Sequence, residues 1–428
     1  MSLARSTLLV MISRILVMFA GLIVSGVAAH ALSSVEQGYF FTFLSIAAAQ
    51  ALFELGITNL ILHHLSHARA AIAGAVSEAD KKNAVDIAES ARAYSKRYFL
   101  RAAGLFTVVV GLGGLVFFYW SPGAQGVHWQ MPWTLMIAGT ALSLFNLTHY
   151  SHLEGFGRLA VSYRIRMTAT VVLIAAFTLA AFTLGGLMSY PLALLASNGY
   201  ACFALHRACT EVNKEFGLGG GYQSRPIDIG REQRKMAVSA TAGYVTANTL
   251  TPYAFHFFGA EVAGQIGLTM SIFAAIATVA MARTTAEAPT YGPLIASGKL
   301  TELKRRFRST FAFSVALAVA LVVFALIARQ MGLAMMPKYD NRVLGVAGFV
   351  VIGLLIVSNV ALSVTSTVLR AFKIEQLMWP SLFAALLVLL AQLALRLDPV
   401  KCLAVLAAFN GLVFYPFAHR RLAAKISI

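Results

Sequence analysis

Ionisable side chains within or at the ends of long apolar segments are the residues of this chain best suited to chemistry. They are Arg14, Glu54, His256, Arg283 and Glu287. A charged residue inside a membrane span costs about 2.5–3.5 kcal/mol on insertion scales, so it usually faces other helices or a wet cavity. Side chains of this kind could bind an anionic group or carry a coupling ion.

The spacing predicts that Arg14 and Glu54 lie at similar depth in two adjacent, antiparallel spans. Arg14 is about 10 Å and Glu54 about 15 Å from the same end, at 1.5 Å per residue. They could line a cationic cavity for an anionic headgroup, with Glu54 tuning it or carrying an ion, or they could form a structural ion pair. Arg283 and Glu287, one turn apart, could serve the same cavity, or Arg283 could snorkel to the interface.

The histidines indicate a proton switch more than a metal site. His256 is a candidate for protonation, although a hydrogen-bonded histidine at the external rim explains it equally well. His63 with His67, and His149 with His152, have spacings that could bind a metal, but no third ligand is positioned by the sequence. Interfacial histidines are the favoured interpretation, and no metal or cofactor is predicted.

Enzyme motifs are missing from the sequence. It contains no Asp-x-Asp pair, no Walker A sequence, no GxSxG and no HExxH. The five aspartates all fall outside the predicted spans. An enzyme is therefore disfavoured, and any transport would draw on an ion gradient, the membrane potential or substrate flow.

The elements that must position these residues are membrane helices. Of 428 residues, 59% are hydrophobic and 12% charged, whereas a soluble domain has about 25% charged residues. The composition predicts an all-α polytopic membrane protein, since a span needs about 20 apolar residues. Twelve spans are predicted, over residues 8–32, 38–65, 98–120, 131–152, 163–185, 188–209, 236–258, 262–286, 310–329, 343–368, 379–395 and 400–418.

The distribution of positive charge predicts the orientation. Of 34 Lys and Arg residues, 28 fall on the side that would carry both termini and 5 on the other side. The positive-inside rule makes both termini cytoplasmic and places the chain in the bacterial cytoplasmic (inner) membrane. The same rule accounts for the net charge of +17 without nucleic-acid binding.

A polar stretch divides the chain into two related halves. The prediction is a six-helix lobe over 1–210, a cytoplasmic linker over 211–235 and a second six-helix lobe over 236–428. A shift of 226 residues pairs Gly38 with Gly264 and His30 with His256. Two repeats of the same topology are a transporter architecture, and they would be related by an axis along the membrane normal.

Residues 32–67 resemble the start of Wzx-type polysaccharide flippases. The external turn Glu-Gln-Gly-Tyr-Phe leads there into a span with Glu-Leu-Gly, and the segments 259–267 and 284–296 are similar to the second-half signature of the same proteins. The family belongs to one superfamily with the MATE drug exporters and the lipid II flippases. One departure is Ala282-Arg283, which stands where an aromatic residue often precedes the Thr-x-x-x-Pro element.

The resemblance implies a V-shaped pair of six-helix lobes that moves a polyprenyl-pyrophosphate-linked oligosaccharide to the outer leaflet for surface polysaccharide (O-antigen type) biosynthesis. Arg14 and Arg283 would then meet the diphosphate, and Glu54, Glu287 and His256 would serve ion coupling or the cavity. The implied partners are this glycan, a coupling proton or sodium ion, membrane lipids and the polysaccharide polymerase machinery. The alternatives are an ion-coupled multidrug exporter and a membrane assembly partner that does not transport.

Overall fold

The computed structural model describes Leu16 and residues 19–122, 126–219, 231–335, 341–372 and 377–426. Helices make up its regular structure, and these residues include no β-strand. The chain divides into two compact units, Met1–Ala240 and Thr241–Ile428.

Unit 1 contains the described helices up to residue 216. They are α1 (Phe19–Ala31), α2 (Ser34–Ala47), α3 (Ala51–Glu54), α4 (Ile57–Ala73), α5 (Glu78–Phe106), α6 (Leu112–Trp120), α7 (Gln130–Gly155), α8 (Leu159–Thr183) and α9 (Ser189–Phe216). A π-helical turn over Thr107–Gly111 joins α5 to α6. Helix α7 packs against α4, α5 and α9.

Helix α10 (Arg231–Asn248) spans the boundary between the units, and the later helices belong to unit 2. They are α11 (Leu250–Phe258), α12 (Ala260–Ala280), α13 (Ala282–Ala296), α14 (Leu300–Met335), α15 (Val346–Ala371), α16 (Met378–Leu389), α17 (Pro399–Phe409) and α18 (Tyr415–Ile426). Further π-helical turns follow α16 and α17. Asn359 of α15 accepts a 2.8 Å hydrogen bond from Asn410 at the second of these turns.

Helix length and hydropathy make the protein a multi-pass membrane protein. Six helical stretches of the described chain are long and apolar enough to cross a bilayer, and the bent pair Ser34–Glu54 and Ile57–Ala73 would make a seventh. Helices α7 and α9, with 26 and 28 residues, are long but are not among these six. The count of twelve spans and the orientation of the termini stay predictions.

The second predicted span is broken. The sequence predicts one continuous helix over 38–65, but the structure ends α3 at Glu54 and restarts at Ile57 with a bend of 42°. Leu55 and Gly56 both have left-handed backbone, with φ of 49° and 71°. Glycine adopts this conformation without strain, whereas leucine rarely does.

In unit 2 a helix is interrupted in the same register, although Met281 keeps a right-handed backbone, with φ of −84°. Helix α2 begins at Ser34 and α12 at Ala260, and the break at Leu55 corresponds to the break at Met281. Both pairs of positions differ by 226 residues, which is the shift that aligns the two halves of the sequence. The described helices therefore support an internal repeat, because the start and the break of the corresponding helix recur together.

An aromatic cluster next to the π-turn holds α6 against α7. Trp133 is 1% exposed, and its Nε1 donates a 3.0 Å hydrogen bond to the Gly111 carbonyl. Phe118 and Phe43 pack on the same ring, with centroids 5.5 and 5.2 Å away. The π-turn thus supplies a carbonyl that satisfies the buried indole N–H.

Replacing Gly114 by alanine should lower the thermal unfolding midpoint. An added Cβ would overlap the ring of Trp133, which its hydrogen bond to Gly111 holds in place. Overpacking of this kind costs about 1–3 kcal/mol. The measurement is thermal unfolding of the detergent-purified protein. Gly113→Ala is the matched control, since a Cβ there meets nothing within 4 Å; equal shifts in the two variants would contradict this packing.

Candidate functional site

The break in unit 1 places a carboxylate between two helix segments. Glu54 is the last residue of α3 and is half-buried. Its Oε1 accepts a 2.6 Å hydrogen bond from the Thr58 hydroxyl, in the first turn of α4. This hydrogen bond joins the two helix segments across the break.

Tyr98 of α5 compensates for the interrupted backbone. A helix that ends inside a protein leaves carbonyls without their intrahelical partners. The Tyr98 hydroxyl donates a 2.8 Å hydrogen bond to one of them, the Phe53 carbonyl. Sequence reasoning identified Glu54 but missed Thr58 and Tyr98, although Thr58 lies one turn beyond Glu54 and could have been found by that spacing.

Glu54 has no ion pair with any residue that the structure describes. Arg14, the partner that the sequence offered for it, lies outside the described residues. The pairing of Arg14 with Glu54 therefore stays a prediction, and so does the role of Arg14 in binding an anion.

The corresponding break in unit 2 positions Arg283. It is the second residue of α13, is half-buried, and its Nη2 donates a 2.8 Å hydrogen bond to the Ser309 hydroxyl of α14. Its guanidinium carbon lies 5.3 Å from the centroid of the Phe313 ring. In the described part of the chain Arg283 forms no ion pair, and its role in binding an anion stays a prediction.

Glu287, one turn further along α13, is held by another cation. Its Oε2 lies 3.2 Å from Nη1 of Arg306, whose Nε donates a 2.9 Å hydrogen bond to Glu302. The sequence grouped Glu287 with Arg283, and the structure instead joins it to the first turns of α14. The Glu302 to Arg306 run was the signal for this network.

His256 lies near the end of α11, away from both breaks in sequence. Its ring is half-buried, with its centroid 4.7 Å from that of Phe257. On the same helix the Tyr253 hydroxyl donates a 2.7 Å hydrogen bond to the Leu397 carbonyl. A protonation role for His256 stays a prediction. Within the described chain no group of three or more His, Cys, Asp or Glu side chains is arranged to hold a metal ion.

Solved structures share this arrangement of helices over nearly the whole chain. An inward-facing multidrug resistance MATE family transporter of the MOP superfamily has a TM-score of 0.64 at 16% identity, and the match covers 96% of this chain and 95% of that one. The lipid II flippase MurJ, inward closed, has a TM-score of 0.56 at 12% identity, with 99% and 90% covered.

A third solved structure is a MOP superfamily transporter from Pyrococcus furiosus. It has a TM-score of 0.59 at 16% identity, with 99% of this chain and 96% of that one covered, and a reverse polarity of its binding pocket suggests a different function for it. No family model matches the chain, and no curated protein matches it. The chain therefore has the helical fold that MOP superfamily transporters and the lipid II flippase MurJ share.

Proposed function

We propose that this protein is a flippase. Its substrate would be a polyprenyl-pyrophosphate-linked oligosaccharide repeat unit, moved across the cytoplasmic membrane for surface polysaccharide biosynthesis. The observation that carries the proposal is the half-buried Arg283, which has no ion pair among the described residues and lies in the first turn of α13, just after α12 ends. The fold and the sequence resemblance at 32–67 support the same function.

The chemistry of the substrate explains why an unpaired arginine matters. A pyrophosphate carries several negatively charged oxygens. Its transfer from water into the protein costs free energy unless cations replace the lost hydration. Arginine offers planar donors that bind phosphate oxygens through two hydrogen bonds, and such charge-assisted contacts are strong where water is scarce. We assign Arg283 to the diphosphate, and Arg14 with it on the basis of its predicted depth.

The carboxylates and the histidine would couple substrate movement to an ion. Broken membrane helices in transporters form sites where freed carbonyls and nearby side chains coordinate sodium or a proton. Glu54 lies at such a break, between α3 and α4. Glu287 and His256 are secondary candidates, because Glu287 is already neutralised in part by Arg306.

An ion-coupled multidrug exporter is the second candidate function. The observation that favours it is Glu54, a half-buried carboxylate that no described cation neutralises and that could attract a cationic compound. MATE transporters with similar folds are drug exporters by description. The unpaired Arg283 weighs against this function, since it would repel a cation.

Mass spectrometry of polyprenyl-linked glycans in cells depleted of the protein tests the proposal. Accumulation of a completed pyrophosphate-linked repeat unit, with loss of the surface polymer, is the expected result. Unchanged glycan lipids together with new sensitivity to cationic dyes would support the exporter instead. If neither property changed and the polymerase complex fell apart, the protein would be an assembly partner that does not transport.

A further inference from the structure

Unit 1 contains a cavity lined largely by polar and basic side chains. Helices α4, α5, α7 and α9 form its walls, and it encloses about 100 Å³. A cavity needs about 10–15 Å³ to hold a single water molecule, so this cavity has room for a small ligand. Ile61 and Leu65 of α4 supply an apolar wall, and the other lining side chains are polar.

The charge of this cavity is positive. Arg92 and Lys96 of α5 line it, and imidazoles of His149, His152 and His206 come from α7 and α9. None of the described lining residues is an aspartate or glutamate. A metal cation is therefore disfavoured there, and the histidines and Cys209 of the described lining form no group arranged to hold one.

One carboxylate, that of Glu89, lies near the cavity but leaves donors of Arg92 available to an anion. Glu89 is one turn before Arg92 on α5, and its Oε1 lies 3.5 Å from Nη1 of Arg92. This contact is longer than a strong charge-assisted hydrogen bond of about 2.7–2.9 Å. Arg92 keeps further N–H donors, because a guanidinium has five.

The floor of the cavity is hydrogen-bonded and buried. The hydroxyls of Ser95 and Thr148 lie 2.7 Å apart, and His152 is only 4% exposed. Nε2 of His152 lies 3.1 Å from Oδ1 of Asn213, while its Nδ1 has no hydrogen-bond partner among the described residues. The Asn213 oxygen can only accept, so Nε2 of His152 is the donor and Nδ1 is an acceptor enclosed by protein. The donors that an anion in the cavity can use are therefore those of Arg92 and Lys96.

We propose that this cavity binds a phosphate group, carried by inorganic phosphate or by a phosphomonoester lipid headgroup. Such a group has a charge of about −1.5 to −2 near neutral pH, which matches the two cations, and its oxygens can accept hydrogen bonds from several helices at once. The inference involves none of the residues assigned to transport and does not depend on the proposed function.

Isothermal titration calorimetry of the full chain with sodium phosphate, in a neutral detergent and at constant ionic strength, tests the inference. Arg92→Gln and Lys96→Gln should each weaken binding about tenfold, because a charge-assisted hydrogen bond is lost. Arg97→Gln is the matched control: it removes the same charge from the neighbouring exposed residue of α5, which does not line the cavity. Glu89→Gln should strengthen binding, since it removes the nearby negative charge.

A second experiment distinguishes free phosphate from a lipid headgroup. The titration is repeated in phosphatidylcholine nanodiscs with and without phosphatidate. If inorganic phosphate binds in nanodiscs that lack phosphatidate, and if phosphatidate competes with it, the site accepts both free phosphate and the lipid headgroup. Phosphatidate binding that Lys96→Gln weakens, with no response to phosphate, would assign a lipid headgroup.

The inference is overturned if neither probe binds, or if Arg97→Gln and Lys96→Gln weaken binding equally. Because Lys96 is exposed, Lys96→Gln leaves the packing of α5 unchanged and keeps the test valid should Arg92→Gln fail to fold.

Discussion

Arg283→Gln should abolish movement of the lipid-linked substrate, and Arg283→Lys should keep a fraction of it. Glutamine removes the positive charge, whereas lysine keeps the charge but loses the planar pair of donors. Removing one partner of a desolvated charge pair costs about 2–5 kcal/mol, which is about thirtyfold or more in affinity. The measurement is flipping of purified glycan lipid in proteoliposomes, with protein amount and orientation matched.

Arg305→Gln is the control for charge alone. Arg305 is on α14, its side chain is 78% exposed, and it pairs with Glu302. Its loss changes the net charge as much as the loss of Arg283 does, but flipping should continue. Ser309→Ala separates the intramolecular hydrogen bond from the charge, and it should leave flipping largely intact. Full flipping by Arg283→Gln would remove Arg283 from the substrate site.

The sequence was sufficient to predict the helical membrane class. Low charge and long apolar runs reflect the need to satisfy every backbone group inside the bilayer, which leaves helices as the solution for such segments. The shift of 226 residues predicted from Gly38 and Gly264 reappears in the helix starts at Ser34 and Ala260. Hydrophobic runs and the spacing of matching residues can both be read directly from the sequence, without knowledge of the tertiary contacts.

The break at Leu55 could not be predicted in the same way. Gly56 is a weak signal in an apolar segment, and the neighbouring leucine adopts a left-handed backbone that its side chain disfavours. Part of the compensation comes from Tyr98, whose hydroxyl bonds to the Phe53 carbonyl from another helix. A contact across 45 residues depends on how α5 packs, which the local sequence does not encode.

The partners of the charged residues likewise depend on how the helices are positioned against one another in the folded protein. Glu287 meets Arg306 because Gly298, with φ of 70°, turns the chain between α13 and α14. A helix turns by about 100° per residue, so a shift of one or two residues in a helix end moves a side chain to another face. The identities of the candidate residues could therefore be predicted, but the Arg306 contact could not.

Glu54→Gln should abolish the response of transport to an ion gradient while leaving the protein folded. Glutamine keeps the size of the side chain and can still accept the hydrogen bond from Thr58, but it cannot be ionised. A tenfold gradient of protons or sodium is worth about 1.4 kcal/mol per ion, or about tenfold in substrate distribution between the leaflets. The wild-type protein should show that bias in proteoliposomes with an imposed gradient, and the variant should show none.

Two further variants separate coupling from a structural role for this carboxylate. Thr58→Val removes the hydrogen bond but keeps the charge, so transport should slow while its gradient dependence persists. If Glu54 only neutralises Arg14, combining Arg14→Gln with Glu54→Gln should recover much of the transport that either change loses. Gradient-driven transport by Glu54→Gln at the wild-type level would exclude coupling at Glu54. Coupling would then have to reside at Glu287 or His256, because these are the remaining candidate groups that can gain or lose a charge.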